Sequence, residues 1–196
     1  MSLTQLLLMV AVAYGLGSLS FAKWIGMARG VDLLQVGSRS LGMTNLWRSC
    51  GKGWGMLCLV LDMTKGYLAC YLAAQIAGAA GLIALSGAVA VVGHTFSVWA
   101  KFKGGKGVAT GLGVLMFMSP LTFLMAFVTG VTIIALTRIV SIASLFVVCM
   151  VPPVLWWQHA PRAYIGFTLL ATAYITYKHK ANIQRLLTGT ENKIQW

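Results

Sequence analysis

The chain has 196 residues, of which 59% are hydrophobic and only 9% are charged, whereas a soluble domain carries about 25% charged residues. This composition excludes a soluble domain, a disordered chain and a disulfide scaffold, and the long continuous apolar runs exclude an outer-membrane barrel, whose strands alternate apolar and polar residues. The net charge of +12 does not indicate a nucleic acid partner here, because basic residues accumulate in the cytoplasmic loops of helical membrane proteins and the remainder can serve anionic lipid or substrate.

The first 22 residues carry no charge and are followed by Lys23 and Arg29. A cleavable signal peptide has its basic residues before a shorter apolar core, so this segment is predicted to be a retained helix that begins outside and ends in the cytoplasm. The polar, Gly-rich stretch from Ala28 to Gly55 is predicted to be a cytoplasmic loop.

The stretch from Gly66 to Ala100 has no acidic residue, lysine or arginine and is too long for one crossing of about 20 residues. Together with Trp54 to Lys65 it predicts two helices that turn near Ala77 to Gly81. Asp62 and Lys65 lie one helical turn apart and can pair. The basic, Gly-rich segment from Lys101 to Gly107 is predicted to be a loop at the membrane surface.

The run from Gly107 to Thr137 is either one long kinked helix or two short helices broken at Ser119-Pro120. If the run forms two helices, fourteen lysines and arginines lie inside and only Arg162 lies outside. If it forms one helix, ten of these basic residues lie on one side of the membrane and five on the other. The positive-inside bias therefore favours a hairpin that turns at Pro120.

Two further crossings are predicted, at Ile139 to Trp157 and at Ala163 to Lys178. The fold class predicted for the chain is an all-α membrane protein with seven transmembrane helices, the N-terminus outside and the C-terminus cytoplasmic. Residues 1–196 are expected to form a single multi-pass domain without an internal repeat.

In this topology most polar residues of interest lie on the cytoplasmic side, in three loops and the C-terminal tail. Glycines allow backbone N–H groups to approach an anion closely, hydroxyl and amide groups add donors, and basic side chains neutralise charge, so the inventory suits phosphate. No cluster of carboxylates accompanies it, so neither a metal nor another cofactor is expected. Because Lys106 is followed by Gly107 and the spacing of a nucleotide P-loop is absent, a nucleotide site is rejected.

Each of these features also has a purely structural interpretation. The lysines between Lys101 and Lys106 can be a topogenic charge run, and His94 fits a hydrogen-bonded structural histidine better than a base. The four cysteines fit small apolar packing residues. The serine hydroxyls have no Asp/His pair at a recognisable spacing, so a catalytic triad has no support. His179 differs, because Asn182 follows it on the same face at the end of the last helix.

Several of these stretches together carry a family resemblance. They are Gly37-Ser38 with Gly42, Thr44-Asn45 and Arg48; Asp62-Met63-Thr64-Lys65-Gly66; Gly93-His94 leading into Phe102-Lys103-Gly104-Gly105-Lys106-Gly107-Val108-Ala109-Thr110; Arg138 with Ser141; and His179-Lys180-Ala181-Asn182-Ile183 with Arg185, Gly189 and Glu191. In this order, from about Gly15 to Glu191, they resemble the PlsY family, the bacterial membrane-embedded acyl-phosphate-dependent glycerol-3-phosphate acyltransferases.

The resemblance implies transfer of a fatty acyl group from acyl phosphate to the 1-hydroxyl of sn-glycerol 3-phosphate, which gives lysophosphatidic acid and phosphate, the first step of phospholipid synthesis. It implies a site facing the cytoplasm in the bacterial inner membrane, with no acyl-CoA or acyl carrier protein as direct donor. The catalytic residues it implies are Ser38, Arg48, Lys106 and His179. The substrate-binding residues are Gly37, Asn45, Lys103, Gly104, Gly105, Ser141, Ser144 and Asn182.

The first loop departs from the family pattern, because Arg39, Ser40 and Met43 stand where Gly, Asn and Ala are usual. Glycine at position 39 could adopt a positive φ, which arginine does poorly. We expect the loop to keep an ordinary backbone conformation, with the Arg39 guanidinium replacing the lost donors; the alternative is a damaged phosphate site.

Two rival functions remain. An anion transporter would place its polar site near the bilayer midplane, commonly in repeated halves, whereas here the donors gather at one membrane face. A catalytically inactive relative that binds lipid or a partner gains support from the altered first loop. Formation of lysophosphatidic acid by the purified protein separates these functions.

Overall fold

A computed structural model describes residues 1–195, and its regular elements there are all helices. The ten α-helices are α1 (Leu3–Ser18), α2 (Phe21–Ala28), α3 (Met43–Cys50), α4 (Lys52–Ala77), α5 (Ala80–Thr95), α6 (Val108–Met118), α7 (Pro120–Thr137), α8 (Val140–Trp157), α9 (Arg162–Lys178) and α10 (Lys180–Leu187), with a 3-10 turn at Val98–Ala100. Within the described residues, five segments are long and apolar enough to cross a membrane. The predicted all-helical membrane class is confirmed.

Two predicted boundaries in the N-terminal third are wrong. The first apolar segment is broken after Ser18 into α1 and α2, and the predicted loop from Ala28 to Gly55 contains α3 and the beginning of α4. An eight-residue helix such as α3 is too short to be stable by propensity alone. Its stability comes from packing, since the Leu46 side chain is completely buried.

The two predicted helix breaks are confirmed. α4 ends at Ala77 and α5 begins at Ala80, with Gly78 in the left-handed conformation between them. α7 begins at Pro120, whose missing N–H costs nothing at the first helical position, and the Ser119 hydroxyl accepts the N–H of Thr122 at 3.3 Å.

The chain reverses direction at Ser119-Pro120. Val108 at the beginning of α6 and Ile134 near the end of α7 line one cavity, so the two helices run back alongside each other. With 11 residues, α6 is only about 16 Å long, roughly half the thickness of a hydrocarbon core. The predicted division into two helices at Ser119-Pro120 is therefore present.

Glycines allow the central helices to touch along their backbones. A Cβ atom on Gly113 of α6 would overlap the Met63 carbonyl of α4, and one on Gly66 of α4 would overlap the Thr110 carbonyl of α6. Gly17 of α1 meets the backbone of α5 in the same way. Small residues at such crossings are the usual means by which membrane helices pack closely, because lipid provides no hydrophobic drive for helix association.

A buried ion pair fixes α4 against the break between α1 and α2. The Lys65 ammonium lies 2.7 Å from the Asp62 carboxylate and donates to the carbonyl oxygen of Leu19 at 2.6 Å. Nδ1 of His94 lies 3.5 Å from the same carboxylate. The pair predicted from the spacing of Asp62 and Lys65 is confirmed, and it provides a partner for a carbonyl left free by the helix break.

Replacing Gly113 with alanine is expected to weaken the fold, because the added methyl group forces α6 away from α4. Gly111→Ala is the matched control, since its Cβ would enter open space on the same helix. Overpacking of this kind costs about 1–3 kcal/mol, so the unfolding temperature of Gly113→Ala should fall by roughly 5 °C while Gly111→Ala stays at or above wild type. Equal unfolding temperatures for the two variants would show that the crossing tolerates a Cβ.

Candidate active site

A cavity of about 380 Å³ opens at one end of the helical bundle, where four distant parts of the chain meet. Part of its lining is polar and part is apolar. The polar lining comprises Ser38, Ser40, Thr44, Asn45, Arg48, Asp62, His94, Lys106, Ser141, Ser144, His179, Asn182 and Glu191.

Asn45 organises the segment that precedes α3. Its Nδ2 donates to the carbonyl oxygens of Leu33, Val36 and Ser40 at 2.9, 3.2 and 3.1 Å, and its Oδ1 accepts the N–H of Ser38 at 3.1 Å. These bonds engage both ends of the buried Asn45 amide. Asn45 therefore shapes the loop that presents the Ser38 and Ser40 hydroxyls, which lie 3.0 Å apart on the cavity wall.

The backbone of this loop contradicts the expectation of an ordinary conformation at Arg39. Arg39 has φ +51°, in the left-handed region, and Gly37 has φ +55°. The Arg39 side chain is exposed and does not line the cavity. It therefore supplies no guanidinium to the cavity wall, and the loop keeps the conformation that favours glycine at the cost of some backbone strain.

Lys106 is held by a chain of polar contacts from α10 and the C-terminal segment. Its ammonium donates to Oδ1 of Asn182. Nδ2 of Asn182 donates to one carboxylate oxygen of Glu191 at 2.7 Å, and Nε of Arg185 donates to the other at 2.7 Å. Glu191 thus links Asn182 and Arg185 through its two carboxylate oxygens. Lys106, which is bonded to Asn182, lines the cavity.

The glycines before Lys106 serve close packing against His94. A Cβ atom on Gly104 would overlap the His94 carbonyl oxygen, and one on Gly105 would overlap Nε2 of the imidazole. Neither glycine lines the cavity, and the exposed Lys103 does not line it either. His94, held between Asp62 and this turn, has the surroundings expected of a structural histidine.

Among the residues that line the cavity, two buried polar atoms have neither a hydrogen-bond nor an ion-pair partner within the described residues. They are Nε of Arg48 and the Ser141 hydroxyl. A second nitrogen of the same guanidinium has a partner, because Nη2 donates to the carbonyl oxygen of Asn192 at 2.7 Å. A buried donor without a partner is costly, so these groups indicate that the cavity is built for a ligand with acceptor oxygens.

His179 is neutral near pH 7. Burial, together with the positive charge of Lys106, lowers the pKa of the imidazole to about 4. Its Nδ1 lies 2.8 Å from the carbonyl oxygen of Ile175. A carbonyl can only accept, so Nδ1 carries the proton and the lone pair of Nε2 is an acceptor for a hydroxyl group.

The cationic side chains of the cavity are destabilised by burial. Burial lowers the pKa of Lys106 to about 8; Glu191 opposes this shift, while the charges of Arg185, Arg48 and Lys178 add to it. Burial likewise lowers the pKa of Arg48. A bound anion would offset both the desolvation and the mutual repulsion.

Much of the cavity lining is apolar, and three helices contribute a large part of it. This part includes Leu112 of α6, Ala126, Phe127, Gly130, Val131 and Ile134 of α7, and Ala143 and Val147 of α8. The face of α7 from Ala126 to Ile134 is about 12 Å long. An anionic group and a hydrocarbon chain can therefore be held side by side in one cavity.

Eight of the twelve residues proposed from the sequence line this cavity: Ser38, Asn45, Arg48, Lys106, Ser141, Ser144, His179 and Asn182. Gly37, Lys103, Gly104 and Gly105 lie outside its lining. Sequence reasoning missed Ile194 and the apolar wall, although the spacing of Ala126, Gly130 and Ile134 by four residues is a detectable signal. No group of three or more potential metal ligands is found within residues 1–195.

Comparison with known proteins gives one consistent relationship. The profile of the glycerol-3-phosphate acyltransferase family matches residues 7–189. A glycerol-3-phosphate acyltransferase of Fusobacterium nucleatum is 35% identical over 188 residues, covering 95% of this chain and 97% of the relative. One of Synechococcus sp. (strain JA-2-3B'a(2-13)) is 41% identical over 189 residues, covering 96% and 94%.

Two solved structures share the fold. Both are of PlsY (YgiH), an integral membrane glycerol 3-phosphate acyltransferase. The glycerol 3-phosphate form is 37% identical with a TM-score of 0.93, and 97% of this chain and 96% of that chain are covered. The lysophosphatidic acid form is 36% identical with a TM-score of 0.90, and 97% and 95% are covered.

Anion binding at this site is expected to weaken above about pH 8, because Lys106 loses its charge as the pH rises through its lowered pKa. Sulfate is a suitable probe, since its own charge is constant in this range. Its affinity should fall by up to about tenfold per pH unit once Lys106 deprotonates. Lys106→Arg keeps its charge and should remove the decline; an affinity that is constant through pH 8 in the wild type would show that the Lys106 charge does not bind the anion.

Proposed function

Because the chain belongs to the glycerol-3-phosphate acyltransferase family, we propose that it transfers a fatty acyl group from acyl phosphate to the 1-hydroxyl of sn-glycerol 3-phosphate. The products are lysophosphatidic acid and inorganic phosphate. The reaction is the first step of phospholipid synthesis, and the direct donor is neither acyl-CoA nor acyl carrier protein.

One observation carries this proposal: the cavity joins an unsatisfied cationic end to an apolar wall. Nε of Arg48 and the Ser141 hydroxyl are buried without partners, and Lys106 lies on the same wall. Both substrates carry phosphate, and one of them also carries a hydrocarbon chain. The arrangement of the walls is matched to that pair of substrates.

The chemistry needs alignment and charge neutralisation more than it needs an enzyme nucleophile. The 1-hydroxyl oxygen attacks the acyl carbonyl carbon, the bond between that carbon and the phosphate oxygen breaks, and the hydroxyl proton leaves with the departing phosphate. Arg48 and Lys106 stabilise the negative charge that grows on the phosphate as it departs. Because an acyl phosphate is already activated, holding both substrates in line provides much of the rate enhancement.

We assign the proposed roles by position on the wall. Ser38, Arg48, Lys106 and His179 act on the phosphates and the reacting hydroxyl, and the lone pair on Nε2 of His179 accepts a hydrogen bond from a glycerol hydroxyl. Ser141, Ser144 and Asn182 bind substrate. Asn45 acts by shaping the first loop, while Gly37, Gly104 and Gly105 allow the backbone conformations and close packing on which the wall depends. Lys103 contributes charge outside the cavity.

The proposed membrane arrangement has seven crossings, with the N-terminus outside and the C-terminus and the site in the cytoplasm. Residues 1–196 form one domain in this arrangement, and the location is the bacterial inner membrane. The positive-inside distribution supports it, since Lys65 lies within α4 and, of the other basic residues, only Arg162 then lies outside. The bacterial origin of the relatives supports the location.

Purified protein supplied with a long-chain acyl phosphate and glycerol 3-phosphate should form lysophosphatidic acid and phosphate in equal amounts. Excess EDTA should leave the rate unchanged, and acyl-CoA should give no product. Lys106→Ala should lower the rate by about tenfold or more, since a charge-assisted hydrogen bond contributes about 1.5–3 kcal/mol; the exposed Lys52→Ala is the control.

Failure to form product from a protein that still binds sulfate would favour the inactive relative. Sulfate or phosphate flux in proteoliposomes without product would favour the transporter. A rate that collapses in EDTA would overturn the mechanism without metal.

The topology is tested by labelling single cysteines in intact cells with a reagent that does not cross the membrane. A cysteine beside Pro120 should react from outside, because the hairpin of α6 and α7 turns there, whereas a cysteine beside Arg138 should not react. The native cysteines are first replaced with alanine or serine. Reaction beside Arg138 would restore the six-helix arrangement.

A further inference from the structure

The chain does not end as a free tail after α10. Gly189, with φ +68°, turns it back, and the N–H of Thr190 donates to the carbonyl oxygen of Arg185 at 2.8 Å. This is the Schellman arrangement that ends many helices. Residues 190–195, named here the C-terminal strap, then cross the polar end of the cavity.

The strap is anchored to elements far from it in sequence. The Ile194 N–H donates to the carbonyl oxygen of Arg138, between α7 and α8, at 2.8 Å. The Ile194 side chain is 4% exposed and lines the cavity. The carbonyl oxygen of Gln195 accepts the indole N–H of Trp47 at 3.4 Å. The neighbouring Lys193 side chain is exposed.

The strap also determines how Arg48 is presented. The Asn192 carbonyl accepts from Nη2 of Arg48, which fixes one edge of the planar guanidinium. Nε of the same guanidinium is buried and has no partner within the described residues. The bond to Asn192 restricts the orientation of this guanidinium, which belongs to a residue of the cavity lining.

We propose that the C-terminal strap is a positioning element for phosphate recognition: the Asn192 carbonyl holds Arg48, and the buried Ile194 holds that carbonyl in place. This proposal rests on the proposed acyltransfer function. It assigns a role in substrate binding to a segment that does not touch the reacting atoms. Its physical basis is preorganisation, since an arginine that is already oriented loses less entropy when it binds a phosphate.

The test compares Ile194→Asp and Ile194→Ala with Ile194→Val and Lys193→Ala in the full-length protein. Asp at position 194 should detach the buried side chain that anchors the strap, and Ala should loosen it. Val keeps this apolar contact, and Lys193→Ala removes an adjacent exposed charge without changing Ile194. KM and kcat are measured for each substrate at equal concentrations of folded protein. The Arg48→Ala variant first identifies the substrate whose KM depends on Arg48. Ile194→Asp should raise the KM of that same substrate by about tenfold, while kcat changes much less.

A second measurement separates positioning from a general loss of structure. In an Arg48→Ala background there is no guanidinium to orient, so Ile194→Ala should have no further effect on that KM, whereas independent effects would multiply. Multiplying effects, or a wild-type KM in both Ile194→Asp and Ile194→Ala, would overturn the proposal.

Sulfate affinity provides a measurement that does not depend on turnover. The Ile194→Ala variant should bind sulfate several-fold more weakly than Ile194→Val, and Lys193→Ala should resemble wild type. If the wild-type protein forms no lysophosphatidic acid, the proposed function fails while this difference still tests the strap. If the wild type is active and the two Ile194 variants bind sulfate equally, the strap proposal fails alone.

Discussion

The site depends on several partly buried positive charges that surround one carboxylate. The charges of Arg185, Arg48 and Lys178 repel that of Lys106, the charge of Arg185 also repels that of Arg48, and Glu191 attracts both Lys106 and Arg48. Removing cations from water is costly unless they are paired. A bound anion would offset this repulsion, which is the physical reason for proposing that these residues bind phosphate.

Such a cluster must be held by a rigid frame, because mutual repulsion would otherwise spread the cations apart. The frame begins with the backbone contact of α4 and α6 at Gly66 and Gly113. It continues through Asp62 to His94, against which the turn before Lys106 is packed. Close packing and a buried ion pair thus keep the Lys106 backbone in one place, while the side chain stays available to a ligand.

The first loop shows how a fold can override a local preference. Arginine at position 39 disfavours a positive φ, yet Arg39 has φ +51°. The four bonds of the Asn45 amide fix the carbonyl oxygens of Leu33, Val36 and Ser40 and the N–H of Ser38. These bonds determine the path of the backbone on either side of Arg39, and together they outweigh the roughly 1–3 kcal/mol that such a residue costs.

The sequence alone determined the membrane class, the positions of most helices, the break at Ser119-Pro120 and the polar and basic side chains that are proposed to bind phosphate. Hydropathy, charge placement and proline are local properties that can be read without a structure. Only the tertiary structure decided that α3 is a helix, that Gly104 and Gly105 pack on His94, and that the C-terminal strap holds Arg48. These features come from contacts between residues far apart in the chain, such as Arg48 with Asn192 and Arg138 with Ile194, and no local pattern in one sequence encodes such pairs.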